Sequence, residues 1–92
     1  MNITYYVYGL LCPLDLSIKY IGCSMQLDER AHNHYYDKSN GKRGQRKREW
    51  IQLLKNHNLN FTVIVLNEFN DKDAALKCER EMIKKYKQNI LN

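Results

Sequence analysis

The stretch Tyr20-Ile21-Gly22-Cys23-Ser24-Met25-Gln26-Leu27-Asp28-Glu29-Arg30-Ala31-His32-Asn33-His34 constrains this chain most, because it takes a strand through a tight turn directly into a helix. Ile18 to Ile21 is β-rich and ends at Gly22, which can take backbone angles closed to other residues, and a helical pattern begins near Leu27. On that helix Arg30 and His34 lie one turn apart on one face and project toward whatever Tyr20 faces. A phenol, a guanidinium and an imidazole beside a strand end suit phosphate chemistry. They equally suit a core tyrosine next to two solvated residues, so the rest of the chain must decide.

A chain of 92 residues is expected to form one domain, 1–92, with a single modest core. Its formal charge of +5 and pI of about 9.2, with 43% hydrophobic residues, describe a basic globular protein whose partner is a polyanion, nucleic acid before membrane. No apolar run approaches the roughly 20 residues of a membrane span. Met1-Asn2-Ile3-Thr4 carries no charged region ahead of an apolar signal segment, so a soluble, cytoplasmic protein is expected. Cys12, Cys23 and Cys78 are odd in number and irregular in spacing, which favours free thiols. Cys12, Cys23, His32 and His34 lack the paired spacing of a zinc site.

In chain order, Tyr5-Tyr6-Val7-Tyr8-Gly9-Leu10-Leu11 reads as a strand with Tyr6, Tyr8 and Leu10 on one face and Tyr5, Val7 and Leu11 on the other. Pro13 interrupts it, and Ile18 to Gly22 resumes the pattern as the second arm of an antiparallel hairpin, with Ile18, Tyr20 and Gly22 sharing a face. In a compatible register Tyr8 and Tyr20 stand on the same side. After the first helix, residues 37–48 are polar and carry Lys38, Lys42, Arg43, Arg46, Lys47 and Arg48, as a loop feeding a helix start. Cations there oppose the helix dipole, whereas a nearby phosphate backbone would offset that cost. Lys42, Arg43, Arg46, Lys47 and Arg48 are therefore the candidate nucleic-acid contacts. Trp50, Ile51, Leu53 and Leu54 give this second helix its apolar stripe.

Phe61-Thr62-Val63-Ile64-Val65-Leu66 reads as a third strand buried on both faces and flanked by helices. Asn70 or Asp71 can cap a last helix from Ala74 to about Lys87. On it Ala75, Leu76, Met82, Ile83 and Tyr86 form a stripe with Glu79 near its centre, while Glu81 points the opposite way. A carboxylate in an apolar face is costly unless a cation or a metal partners it. Tyr8, Tyr20, Arg30, His34 and Glu79 on one patch of a small sheet amount to equipment for metal-assisted phosphodiester hydrolysis.

From Tyr6 to Asn92 the chain resembles the GIY-YIG nuclease domain. The two signature tripeptides stand as Tyr6-Val7-Tyr8 and Tyr20-Ile21-Gly22. They are followed by Ser24, by Arg30 and His34 on the helix, by Glu79 four residues before Ile83-Lys84, and by Leu91-Asn92. Tyr6 replaces the first signature glycine and Gln26 stands where asparagine is common, and neither change removes a reacting group. The resemblance implies an α+β fold with a central three-stranded sheet in the order β-β-α-α-β-α, which the residue patterns also give.

It further implies one divalent cation, Mg²⁺ or Mn²⁺, at Glu79, with water attacking a DNA phosphodiester, Arg30 countering charge on the phosphate and Tyr8 orienting or deprotonating the water. A phenol needs help to act as a base near neutral pH, from His34, Tyr20 or the metal field, and the residues leave that choice open. Site-specific members of the family usually carry an additional DNA-binding domain. Low intrinsic sequence preference is therefore expected here, with specificity left to a partner or a further domain, as in a small nuclease of a phage or mobile element. The alternative is a non-catalytic nucleic-acid-binding module on the same fold.

Overall fold

The computed structural model describes residues 3–39 and 41–92. Its elements are β1 (Tyr5–Leu11), β2 (Ile18–Ser24), α1 (Leu27–Tyr35), α2 (Gln45–Asn56), β3 (Thr62–Phe69) and α3 (Lys72–Lys85), the expected α+β order. All three strands are antiparallel and lie in the order β2-β1-β3. The Tyr-rich first strand is thus the central one, and Val7 through Leu10 are buried.

The alternation expected for β1 divides the core between the two sheet faces. Tyr8 and Leu10 pack with Ile51, Leu54 and Phe61 beneath α1 and α2. Val7 packs with Ile21, Ala75 and Ile90 on the α3 side. Each large apolar side chain so enclosed contributes about 1.5–3 kcal/mol. Asp71 caps α3 by accepting from the Ala74 amide at 3.2 Å, as one of the two expected caps.

Two expectations give way. The third strand is not buried on both faces: it runs along the sheet edge, and Val65 remains 48% exposed. A continuous β-branched run records strand propensity, and only the strand order decides coverage. Nor does Ile18 share a face with Tyr20. Leu10 pairs with Tyr20 and Leu11 with Ile18, so Lys19 is an extra residue that reverses the alternation and sends Ile18 into the α3-side core. Tyr8 stands opposite Gly22, and Tyr8 and Tyr20 lie on one side of the sheet, as a compatible register requires.

Candidate active site

Gly22 does not end the strand as expected: it lies within β2 opposite Tyr8, the turn follows Ser24, and the glycine is required instead by a close approach. A Cβ there would stand 2.6 Å from Cζ of Tyr8, so the glycine gives the phenol room to extend across β2. Beyond it, Ser24 Oγ accepts from the Gln26 amide at 3.0 Å and shapes the turn into α1. The side chain of Asn92 accepts from the Ile21 amide at 2.9 Å and donates to the Ile21 carbonyl at 2.7 Å, fastening the chain beside the Tyr20-Ile21-Gly22 segment.

This frame brings four of the expected groups together. Tyr8 Oη lies 2.7 Å from Nε2 of His34, and the Tyr20 ring meets the His34 ring edge-on at 4.8 Å between centroids. Tyr8 is 1% exposed and His34 4%. Burial pushes the Tyr8 hydroxyl up to about 12, against the pull of the neighbouring Arg30 guanidinium. Tyr8 in turn raises Arg30 above its ordinary range, so the guanidinium stays charged. Arg30 itself is exposed and forms part of the walls of two adjoining cavities. One, of about 230 Å³, includes Ser24, Gln26 and Asn33. The other, of about 410 Å³, includes Tyr20, Arg43, Lys47, Arg48 and Asn92.

Glu79 comes from the α3 side of the sheet. The expected stripe of Ala75, Leu76, Met82, Ile83 and Tyr86 is at least half-buried, Glu79 is half-buried within it, and Glu81 is exposed. Burial raises the pKa of Glu79, with Arg30 and then Arg80 opposing the rise, and its charge in turn raises Tyr8 and Cys23. Glu79 and the Tyr8–Arg30 pair are therefore close enough to couple. Among the described residues no three His, Cys, Asp or Glu side chains converge as a ready-made cage. A single half-buried carboxylate within electrostatic reach of Arg30 nevertheless fits an ion such as Mg²⁺, which keeps several waters and takes further ligands from substrate phosphate.

The basic segment is divided by the fold. Lys42, Arg43 and Arg46 are exposed. Lys47, in the first turn of α2, is 8% exposed, with Nζ 3.0 Å from Nδ1 of His34, 3.6 Å from Asp37 and 5.3 Å from the Tyr20 ring centroid. Arg48 ties the loop together through Ser39 Oγ at 3.0 Å, the Arg43 carbonyl at 2.8 Å, the Gly41 carbonyl, and Asp37 at 3.8 Å. Asp37 thus offsets part of the cationic charge at the start of α2. Sequence reading assigned Lys47 to a nucleic-acid surface and did not single out Asp37. The signal for Lys47 lay in its helical phase, three, four and seven residues before Trp50, Ile51 and Leu54 on the inward face.

The chain matches the GIY-YIG catalytic domain over residues 4–92, nearly its whole length, and it belongs to that family. No curated protein and no solved structure matches it. Membership assigns a nuclease-type function to the domain, with nucleic acid as its substrate class and a divalent metal as the usual requirement of the family. No helix among the described residues is long and apolar enough to cross a membrane.

The site has a signature in acid stability. Burial first, then Lys47 and Arg30, push His34 down from 6.5 to about 4, so the folded ring stays neutral where the unfolded one charges. Its stabilising share is whole above pH 6.5 and drains as the pH falls toward 4. Thermal melts across that interval should show a steeper loss of Tm for the wild type than for His34→Gln. Parallel slopes would mean that His34 protonates equally in both states.

Proposed function

We propose that this protein is a metal-dependent DNA endonuclease of low intrinsic sequence preference, with Tyr8, Tyr20, Arg30, His34 and Glu79 as its hydrolytic centre. The single observation that carries this reading is the meeting of Arg30 with the enclosed Tyr8–His34 pair at the edge of a cationic cavity. Arg30 offers a planar charged fork to the scissile phosphate. Tyr20, at the cavity wall, orients the attacking water; Tyr8 remains a phenol at neutral pH and acts there as a hydrogen-bonding group. Glu79 would hold one Mg²⁺ or Mn²⁺, and a bound ion of that kind would supply Lewis-acid stabilisation of the departing 3′ oxygen.

Purified protein incubated with supercoiled, linear, branched and single-stranded DNA in Mg²⁺, Mn²⁺ or EDTA tests the proposal. Nicking or cutting that requires the metal supports it. Salt-sensitive binding with no cleavage of any form would instead support the non-catalytic binding module.

Exposed Arg43 lines the larger cavity, and with exposed Lys42 and Arg46 from the same segment it would meet the phosphate backbone without reading bases. Replacing all three with alanine should weaken DNA binding and flatten its log–log salt dependence by about one unit of slope for each phosphate no longer neutralised. An unchanged slope in salt titrations would reassign them to a solvated loop. Low sequence preference follows from a surface that meets phosphates rather than base edges. A partner or a further domain would then supply specificity, an economy suited to a phage or mobile element.

A further inference from the structure

We propose that Lys47 is a positioning residue that fixes the tautomer of His34, so that His34 Nε2–H donates to Tyr8 and cannot accept the tyrosine's proton. The geometry leaves the neutral ring little choice. An ammonium has three donors and no acceptor, so Nζ, 3.0 Å from Nδ1, must donate to a bare ring nitrogen. The ring's single hydrogen is then on Nε2, which faces Tyr8 Oη at 2.7 Å. Burial pulls the Lys47 ammonium below its ordinary range, with Arg30 and Arg48 adding to the fall from α1 and α2, while Asp37, 3.6 Å from Nζ, holds the charge in place against them. The Tyr20 ring, 5.3 Å from Nζ, covers the same cation.

From Lys47 through His34 to Tyr8 the donors therefore run one way, toward the Tyr8 oxygen, while the Asp37 carboxylate faces the same ammonium from the other side. Tyr8 must direct its own hydrogen away from the imidazole. Any phenolate formed at Tyr8 finds a donor already in place on Nε2, and His34 drops out as its general base. Lys47 is enclosed, so its part in catalysis differs from that of the exposed Lys42, Arg43 and Arg46. The inference deepens the proposed nuclease reading, and only its rate consequence rests on that reading.

Two-bond ¹H–¹⁵N correlation spectra of the wild-type protein, with His34 assigned by comparison with His34→Gln, read the tautomer directly. A protonated Nε2 and a bare Nδ1 at neutral pH are expected; a protonated Nδ1 overturns the proposal. In Lys47→Met, which keeps the apolar stem, the ring should shift toward a mixture of tautomers. Single-turnover cleavage should fall about 10–100-fold, the usual cost of losing an orienting partner, with DNA affinity retained. An unchanged tautomer, or lost affinity with an unchanged chemical rate, would also overturn it. A wild type that cuts no DNA but shows Nε2–H would support the hydrogen-bond order and sink only the nuclease reading. If Lys47→Met does not fold, the wild-type spectrum decides.

Discussion

Glu79→Ala should abolish metal-dependent cleavage, by about 10³-fold or more, while the protein stays folded and still binds DNA. The loss corresponds to the several kcal/mol that a Lewis acid supplies to a charged transition state. The fold should survive because Glu79 is no stabilising charge. Its pKa is raised, chiefly by burial, so folding disfavours its ionised form and the carboxylate costs stability as pH rises through its folded pKa. Glu79→Gln should therefore melt no lower than the wild type near neutral pH while remaining inactive. Glu81→Ala, on the exposed side of α3, should be nearly silent. Cleavage assays and melts on the three variants check this. An essential Glu81 beside a dispensable Glu79 would move the metal site to the other side of the helix.

Arg30→Lys should cut about 10²-fold or more slowly while binding DNA almost as well. The substitution keeps charge and helix propensity, and α1 exposes the residue, so a purely structural role would leave the protein unchanged. A phosphate gripped by two parallel N–H donors loses geometry when a fork becomes a point charge. The expected loss is comparable to removing one preorganised donor at a charged transition state. Arg30→Ala should be slower still. Single-turnover rates at saturating enzyme separate chemistry from binding, and full activity in Arg30→Lys would remove the residue from the centre.

Much of the fold was legible because local signals and tertiary needs agree. The hairpin, the Asp71 cap and the inward phase of Glu79 all follow from residue type and period. What the sequence could not convey was which strand would be central. Phe61 to Leu66 has the more continuous β-branched run, yet β1 took the middle and left β3 at the edge. The extra residue at Lys19 is equally silent in the sequence, because a bulge is a property of a pair of strands.

The meeting of Tyr8, Tyr20, Arg30 and His34 was readable from strand alternation and helical spacing. The burial of Lys47 was obscured by its neighbours. Within a run of cations its type argued for solvent or phosphate, whereas its helical phase argued for the core, and packing against His34 and Tyr20 decided in favour of phase. Asp37 gave no local sign, since its role depends on a loop folding back over the start of α2.

Cleavage in ¹⁸O-labelled water, with the ends analysed by mass spectrometry, tests most directly whether this centre hydrolyses a phosphodiester by attack of water and departure of the 3′ oxygen. The expected products are 5′-phosphate ends carrying one solvent oxygen and 3′-hydroxyl ends carrying none, formed with Mg²⁺ or Mn²⁺ and abolished by Glu79→Ala. Ends bearing 3′-phosphate, or the same labelled products from Glu79→Ala, would contradict it.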